Sequence, residues 1–138
     1  MMEQGILLCV DDEMMVLSAL RDQLRRVYGD RHLIEIAESA EEELEILDEL
    51  SGDGYIPLVI ISDWRMPGMK GDEFLAEVHR RFPQVIKIML SGQADEEAVL
   101  RVRTQANLHE FIVKPWSTEV LIASIDVGLD ALWTRVRS

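Results

Sequence analysis

Short apolar runs that stop at polar residues recur along this chain, with amphipathic segments between them. Ile6, Leu7, Leu8, Cys9 and Val10 give way to Asp11 and Asp12, and Leu58 to Ile61 lead through Ser62 to Asp63. Ile86 to Leu90 stops at Ser91, and Glu110 to Val113 stops at Lys114 and Pro115. Runs of this length, separated by helix-like segments, read as buried parallel strands. In an open parallel sheet the carboxyl ends of the strands open into one crevice, where ligands bind. The pattern therefore delivers three carboxylates, a hydroxyl and an amine to one place.

The segments between the runs have mostly helical spacing. Met15, Leu17, Leu20, Leu24 and Val27 mark an inward stripe from Glu13 to Tyr28. Leu33 to Ala37 reads as a second strand. Ser39 and Glu42 then form a capping-box pattern, opening a helix that turns Leu44, Leu47 and Leu50 inward. Ser51-Gly52-Asp53-Gly54 ends it, and Pro57 precedes the third strand. Met66 to Gly71 is a loop rich in turn formers. A third helix is expected from about Asp72 to Phe82, with Phe74, Leu75, Val78 and Phe82 apolar and Pro83 as its stop. A fourth runs from about Asp95 to Gln105, with Ala98, Val99 and Val102 inward. The last begins near Ser117 and carries Leu121, Ile125, Leu129, Leu132 and Val136. Its 4-3-4 spacing is too short for a coiled coil. A core helix is the preferred reading, with a linker into a further module as its rival.

Strand and helix thus alternate five times, the order of an α/β chain with a mostly parallel sheet and helices on both faces. At 138 residues the chain reads as one domain, large enough to hold a core without staples. The single cysteine, Cys9, excludes an internal disulfide and reads as a buried small hydrophobe. No apolar stretch approaches a membrane span. The N-terminus lacks the basic patch of a secretory signal, so a cytoplasmic location is expected. A net charge of −12 opposes binding to nucleic acid or an anionic membrane, and suits cation binding. Most acids, Glu41, Glu42 and Glu43 among them, read as solvated helix faces. His32, His79 and His109 are dispersed without metal-ligand spacing and read as solvated or capping residues. No glycine-rich phosphate loop of the P-loop or dinucleotide type is present.

Asp11-Asp12, Asp63-Trp64-Arg65-Met66-Pro67 with Gly71, Ser91-Gly92 and Lys114-Pro115 together resemble the signature of response-regulator receiver domains. The match spans essentially the whole chain. It implies a flavodoxin-like (βα)5 fold with strand order 2-1-3-4-5 and one domain over 1–138. It also implies phosphoryl transfer to Asp63 from the phosphohistidine of a histidine kinase or phosphotransfer protein. The family pattern has Asp12, Asp63 and the carbonyl of Arg65 as Mg²⁺ ligands, with Asp11 acting mainly through water. Lys114 resembles the lysine that pairs with the phosphoryl group, and Pro115 the proline that follows it through a cis bond. Ser91 stands at the switch hydroxyl. Phe111 stands at the aromatic switch position, with Phe where Tyr is frequent. Arg65 and Gln93 match positions that tune phosphoryl lifetime.

Elementary electrostatics agrees with this pattern. Three close carboxylates repel one another, and a divalent cation removes the conflict. Oxygen ligands beside a phosphate favour Mg²⁺. A carboxylate is a poor nucleophile unless its charge is partly neutralised and the phosphoryl group is held in line. Capping of the first helix is the plainer role for Asp11 and Asp12, but it leaves Asp63 unexplained. The expected function is a signalling switch with slow self-dephosphorylation, not a metabolic enzyme. Its face of fourth helix, fifth strand and fifth helix would meet an output domain or a second copy. Trp116 resembles receivers attached to cyclic-dinucleotide phosphodiesterase outputs. Two alternatives remain: a receiver-like docking module that is never phosphorylated, and a dehalogenase-like phosphohydrolase. The second needs Asp-x-Asp after the first strand, which Asp11-Asp12-Glu13 does not supply.

Overall fold

A computed structural model describes residues 5–92 and 96–137, the last three by backbone alone. Strands and helices alternate as β1 (Gly5–Val10), α1 (Met14–Tyr28), β2 (His32–Ala37), α2 (Ala40–Gly52) and β3 (Ile56–Ser62). They continue as α3 (Gly71–Arg81), β4 (Ile86–Ser91), α4 (Glu96–Gln105), β5 (Glu110–Val113) and α5 (Thr118–Arg137). The strands form one parallel sheet in the order β2-β1-β3-β4-β5, as the resemblance implies.

Successive strand residues face opposite sides of the sheet. Leu7, Cys9, Val59, Ile61, Ile88 and Leu90 meet Leu17, Leu20 and Leu24 of α1 and Leu121, Ile125 and Leu129 of α5. Ile6, Leu8, Val10, Ile60 and Met89 meet Leu47 of α2, Phe74 and Val78 of α3 and Val102 of α4. Each fully buried aliphatic side chain contributes about 1.5–3 kcal/mol. Leu132 also joins the α1–α5 layer, so α5 packs as a core helix over that stretch. The side chain of Val136, and all of Gln93, lie outside the described residues.

Several elements depart from the sequence expectation. On α1 the buried stripe is Leu17, Leu20, Leu24 and Tyr28, at steps of three and four, which keep one face. Met15 falls on the opposite side and is 86% exposed, and Val27 lies at the stripe's edge and is exposed. Tyr28 is buried and donates its hydroxyl to Asp126 of α5 at 2.7 Å.

On α2, Ser39 accepts the Glu42 amide at 3.1 Å. The reciprocal limb of the box is absent among the hydrogen bonds of the described residues. Glu43 is not solvated, because it shares the helix face of Ala40 and Leu47 and is 0% exposed. Its two carboxylate oxygens find no hydrogen-bond partner among the described residues.

β3 begins earlier than expected and takes in Pro57. The β1 register steps from Ile6 opposite Pro57 to Leu7 opposite Val59, leaving Leu58 as a bulge. A bulge accommodates a residue that has no amide to donate. His109 is not solvated either: it is half-buried, and its Nε2 donates to the Ser124 carbonyl at 2.9 Å.

Candidate functional site

The strand order reverses between β1 and β3, so the loops leaving these strands diverge and open a crevice at their carboxyl ends. Backbone hydrogen bonds extend past the strands to fix the residues there. Asp11 donates its amide to Ala37 at 3.2 Å, Asp63 to Val10 at 3.0 Å and Lys114 to Ser91 at 3.2 Å. Three chemically active side chains therefore start from rigid backbone.

Carboxylate oxygens of Asp11, Asp12 and Asp63 lie within 4.8 Å of one another, the only such His, Cys, Asp or Glu group among the described residues. Asp11 and Asp63 are buried, whereas Asp12 is exposed. Lys114 Nζ lies 2.6 Å from Asp11 Oδ2, 3.3 Å from Asp63 Oδ2 and 3.8 Å from Glu13 Oε1. The Glu13 amide occupies Asp11 Oδ1 at 2.9 Å. Burial pushes the Asp11 carboxyl above its ordinary value, and the Asp63 charge adds to this. The Lys114 ammonium and the Glu13 amide pull the other way. Burial opposes the Lys114 charge, but bonds to Asp11 and the fields of both acids hold its ammonium above the ordinary value.

Ser91, Gly92, Arg65 and Glu13 join Asp12, Asp63 and Lys114 around an open crevice of about 280 Å³. Its donor set is hard oxygen with one ammonium and no soft ligand, which suits Mg²⁺ rather than a transition metal. The Lys114–Pro115 peptide is cis. Phe111 is half-buried and lines a separate groove along β5 and α5 with Val113, Val120 and Val127.

The loop after β3 is shaped by two glycines. A Cβ on Gly71 would stand 2.1 Å from the Asp63 carbonyl oxygen, so no side chain fits there. The Gly71 amide closes the loop onto the Trp64 carbonyl at 2.9 Å. Gly68 adopts φ +78, open to glycine at little cost. The Lys70 ammonium sits 5.7 Å from the centre of the Trp64 ring, within cation–π range.

Two residues near the site escaped the sequence reading. Glu13 lines the crevice, and its only signal was adjacency to Asp11 and Asp12. Glu41 reaches from α2 to accept the Met69 amide at 3.1 Å, so it is not simply solvated.

The family model for the response regulator receiver domain matches residues 7–126. This chain is a receiver domain. It is 33% identical over 129 residues to the hydrogenase transcriptional regulatory protein HoxA of Cupriavidus necator, covering 94% of this chain and 25% of that protein. It is 29% identical over 125 residues to the chemotaxis protein CheY1 of Helicobacter pylori J99, covering 89% of this chain and 95% of CheY1. Among solved structures, a CheY-like receiver domain protein from Methanospirillum hungatei superposes with a TM-score of 0.82 at 25% identity. That superposition covers 97% of this chain and 99% of the other. The chain thus spans about a quarter of HoxA but nearly all of CheY1. Receiver domains are two-component signalling switches rather than metabolic enzymes, and they bind Mg²⁺ at an acidic pocket. They work with histidine kinases and output domains. The family sets aside the dehalogenase-like alternative. No helix among the described residues is long and apolar enough to cross a membrane.

Proposed function

We propose that Asp63 accepts a phosphoryl group from a partner's phosphohistidine in a Mg²⁺-dependent transfer, and that the product remodels the α4-β5-α5 face. One observation carries this reading. The buried Asp63 carboxylate shares a single cluster with Asp11 and Asp12, with Lys114 only 3.3 Å away. Asp11, Asp12, Asp63 and the Arg65 carbonyl would hold the cation. When bound, Mg²⁺ relieves the carboxylate repulsion and neutralises part of the phosphoryl charge.

The chain's own groups supply the rest. An Asp63 oxygen attacks phosphorus while the phosphorus–nitrogen bond to the donor imidazole breaks. The nitrogen keeps the electron pair and takes up a proton. Lys114 and Ser91 then donate to the phosphoryl oxygens. Phosphorylation adds about −1.5 to −2 charge, and each charge-assisted hydrogen bond is worth about 1.5–3 kcal/mol. Two such bonds supply about 3–6 kcal/mol, against about 5.5 kcal/mol needed to invert a 1:99 equilibrium.

Ser91 and Phe111 move inward together in this scheme, exposing a changed surface on α4, β5 and α5 to a partner, an output domain or a second copy. Arg65 and Gln93 set how long the phosphoryl group survives. The cytoplasm, where kinases and their phosphodonors meet, is the expected compartment. Trp116 donates its Nε1 to Gln23 of α1 at 2.9 Å and packs on the α1–α5 layer.

The test is incubation with Mg²⁺ and phosphoramidate, read by intact mass. The expected result is one phosphoryl increment, lost with a chelator and lost in Asp63→Asn. A chain that gains no phosphoryl group overturns the proposal and returns the docking-module alternative, whereas equal gain in Asp63→Asn overturns the choice of Asp63 as acceptor.

A further inference from the structure

We propose that Glu41 is a positioning residue for the metal-binding loop after β3, a role that rests on the reading of the site given above. Glu41 lies in the first turn of α2, where an acid is favoured by the helix dipole and ordinarily stays in water. Here its carboxylate crosses to the neighbouring loop, and its Oε1 accepts the Met69 amide at 3.1 Å. The partner lies 28 residues away along the chain, so the bond joins two separate elements.

Gly68 makes the approach possible. A Cβ at that position would stand 3.1 Å from Glu41 Oε1 and 3.4 Å from Oε2, and its φ of +78 disfavours any side chain. Space and backbone shape at Gly68 therefore both serve the crossing carboxylate.

The loop begins at the phosphoacceptor and carries the Arg65 carbonyl, the one backbone group assigned to the cation. Its base is closed by the Gly71 amide on Trp64, and the Met66 side chain is buried beneath it. The far limb has no such anchor in Pro67, which is exposed and has no amide hydrogen to donate. On that limb, Met69 is tied outward by Glu41. The tie fixes the limb against α2, and α2 is itself anchored in the core by Leu47. Positioning by a rigid neighbour is how a weak backbone ligand is kept at coordinating distance.

Mg²⁺ titration followed by tryptophan fluorescence, with amide exchange at Met69 in the metal-free protein, tests this. Glu41→Ala is expected to weaken Mg²⁺ binding about two- to tenfold, the factor one net hydrogen bond is worth. It should also speed exchange at Met69, with thermal stability little changed. Glu41→Gln keeps the acceptor oxygen without the charge, so in screening salt it should restore both readouts. Glu41→Ala binding like the wild type overturns the proposal. So does Glu41→Gln matching Glu41→Ala in screening salt, which would show that the acceptor oxygen does not hold the loop. A wild-type chain that binds no Mg²⁺ overturns the reading of the site itself, and with it this role.

Discussion

Lys114 is held closer to Asp11 than to the proposed phosphoacceptor: Nζ lies 2.6 Å from Asp11 Oδ2 and 3.3 Å from Asp63 Oδ2. The ammonium thus spends its charge on the same carboxylates that would bind a cation, and the two positive charges compete. Lys114→Met keeps the side chain's bulk and removes the competitor. It is expected to tighten Mg²⁺ binding about three- to tenfold, about 0.7–1.4 kcal/mol, with the gain shrinking as salt rises. The same variant should lose its response to phosphorylation. Calorimetric titration at two ionic strengths checks the first part, and unchanged or weaker binding at low salt contradicts it.

Gly71 abuts the backbone of Asp63, with a Cβ position 2.1 Å from the carbonyl oxygen. Backbone cannot yield as a flexible side chain can. Gly71→Ala is therefore expected to destabilise the fold by about 1–3 kcal/mol, the range for overpacking, and to abolish phosphoryl uptake. Gly52 supplies the control: it ends α2, and nothing lies within 4 Å of its Cβ position. Gly52→Ala should leave uptake intact and raise stability by up to about 1 kcal/mol. Urea unfolding of both variants, beside the mass assay, separates the two.

What could be read in advance follows from burial. A parallel strand covered on both faces shows as an apolar run, so its end, and the polar residue there, is visible in one dimension. Asp11, Asp12, Asp63, Ser91 and Lys114 were legible for that reason. Helix faces were less so, because an apolar residue near a stripe need not belong to it; Met15 is the example. Buried charges were the least legible. Glu43 occupies an inward position between Ala40 and Leu47, and only its spacing marked it, while its polarity pointed outward. Glu41 had no mark at all, since its partner is a backbone amide in a distant loop.

Lys87 is the cationic counterpart of this problem. It is the second residue of β4, is 0% exposed, and donates to the Val85 carbonyl at 3.0 Å and to the Pro83 carbonyl at 3.4 Å. Those carbonyls belong to the turn that follows α3, where positive charge is favoured. Lys87→Met would leave the buried Val85 carbonyl without this donor. It is expected to cost about 1–3 kcal/mol in urea unfolding, although it removes a buried charge. A stabilised Lys87→Met variant would show that the desolvation of the ammonium outweighs its bonds.

Glu43 predicts a pH dependence of known sign. Burial raises its carboxyl well above the ordinary value, with the charges of Glu35 and Glu42 adding to it. The folded chain therefore holds this proton more tightly than the unfolded chain does. The stability it contributes is complete below the unfolded value of 4.5, and is lost as pH rises from there through the folded value. Glu43→Leu removes the titration and fills the same inward position. Relative to the wild type, the variant should gain stability as pH is raised above about 4.5, levelling off once the folded carboxyl has ionised, with a total gain of about 1–3 kcal/mol, the usual cost of an unpaired buried polar group. The measurement is the difference between the two urea midpoints at each pH, which cancels the titrating groups that do not interact with Glu43. A difference that stays flat, or falls as pH rises, would mean that the Glu43 carboxylate finds a partner when it ionises.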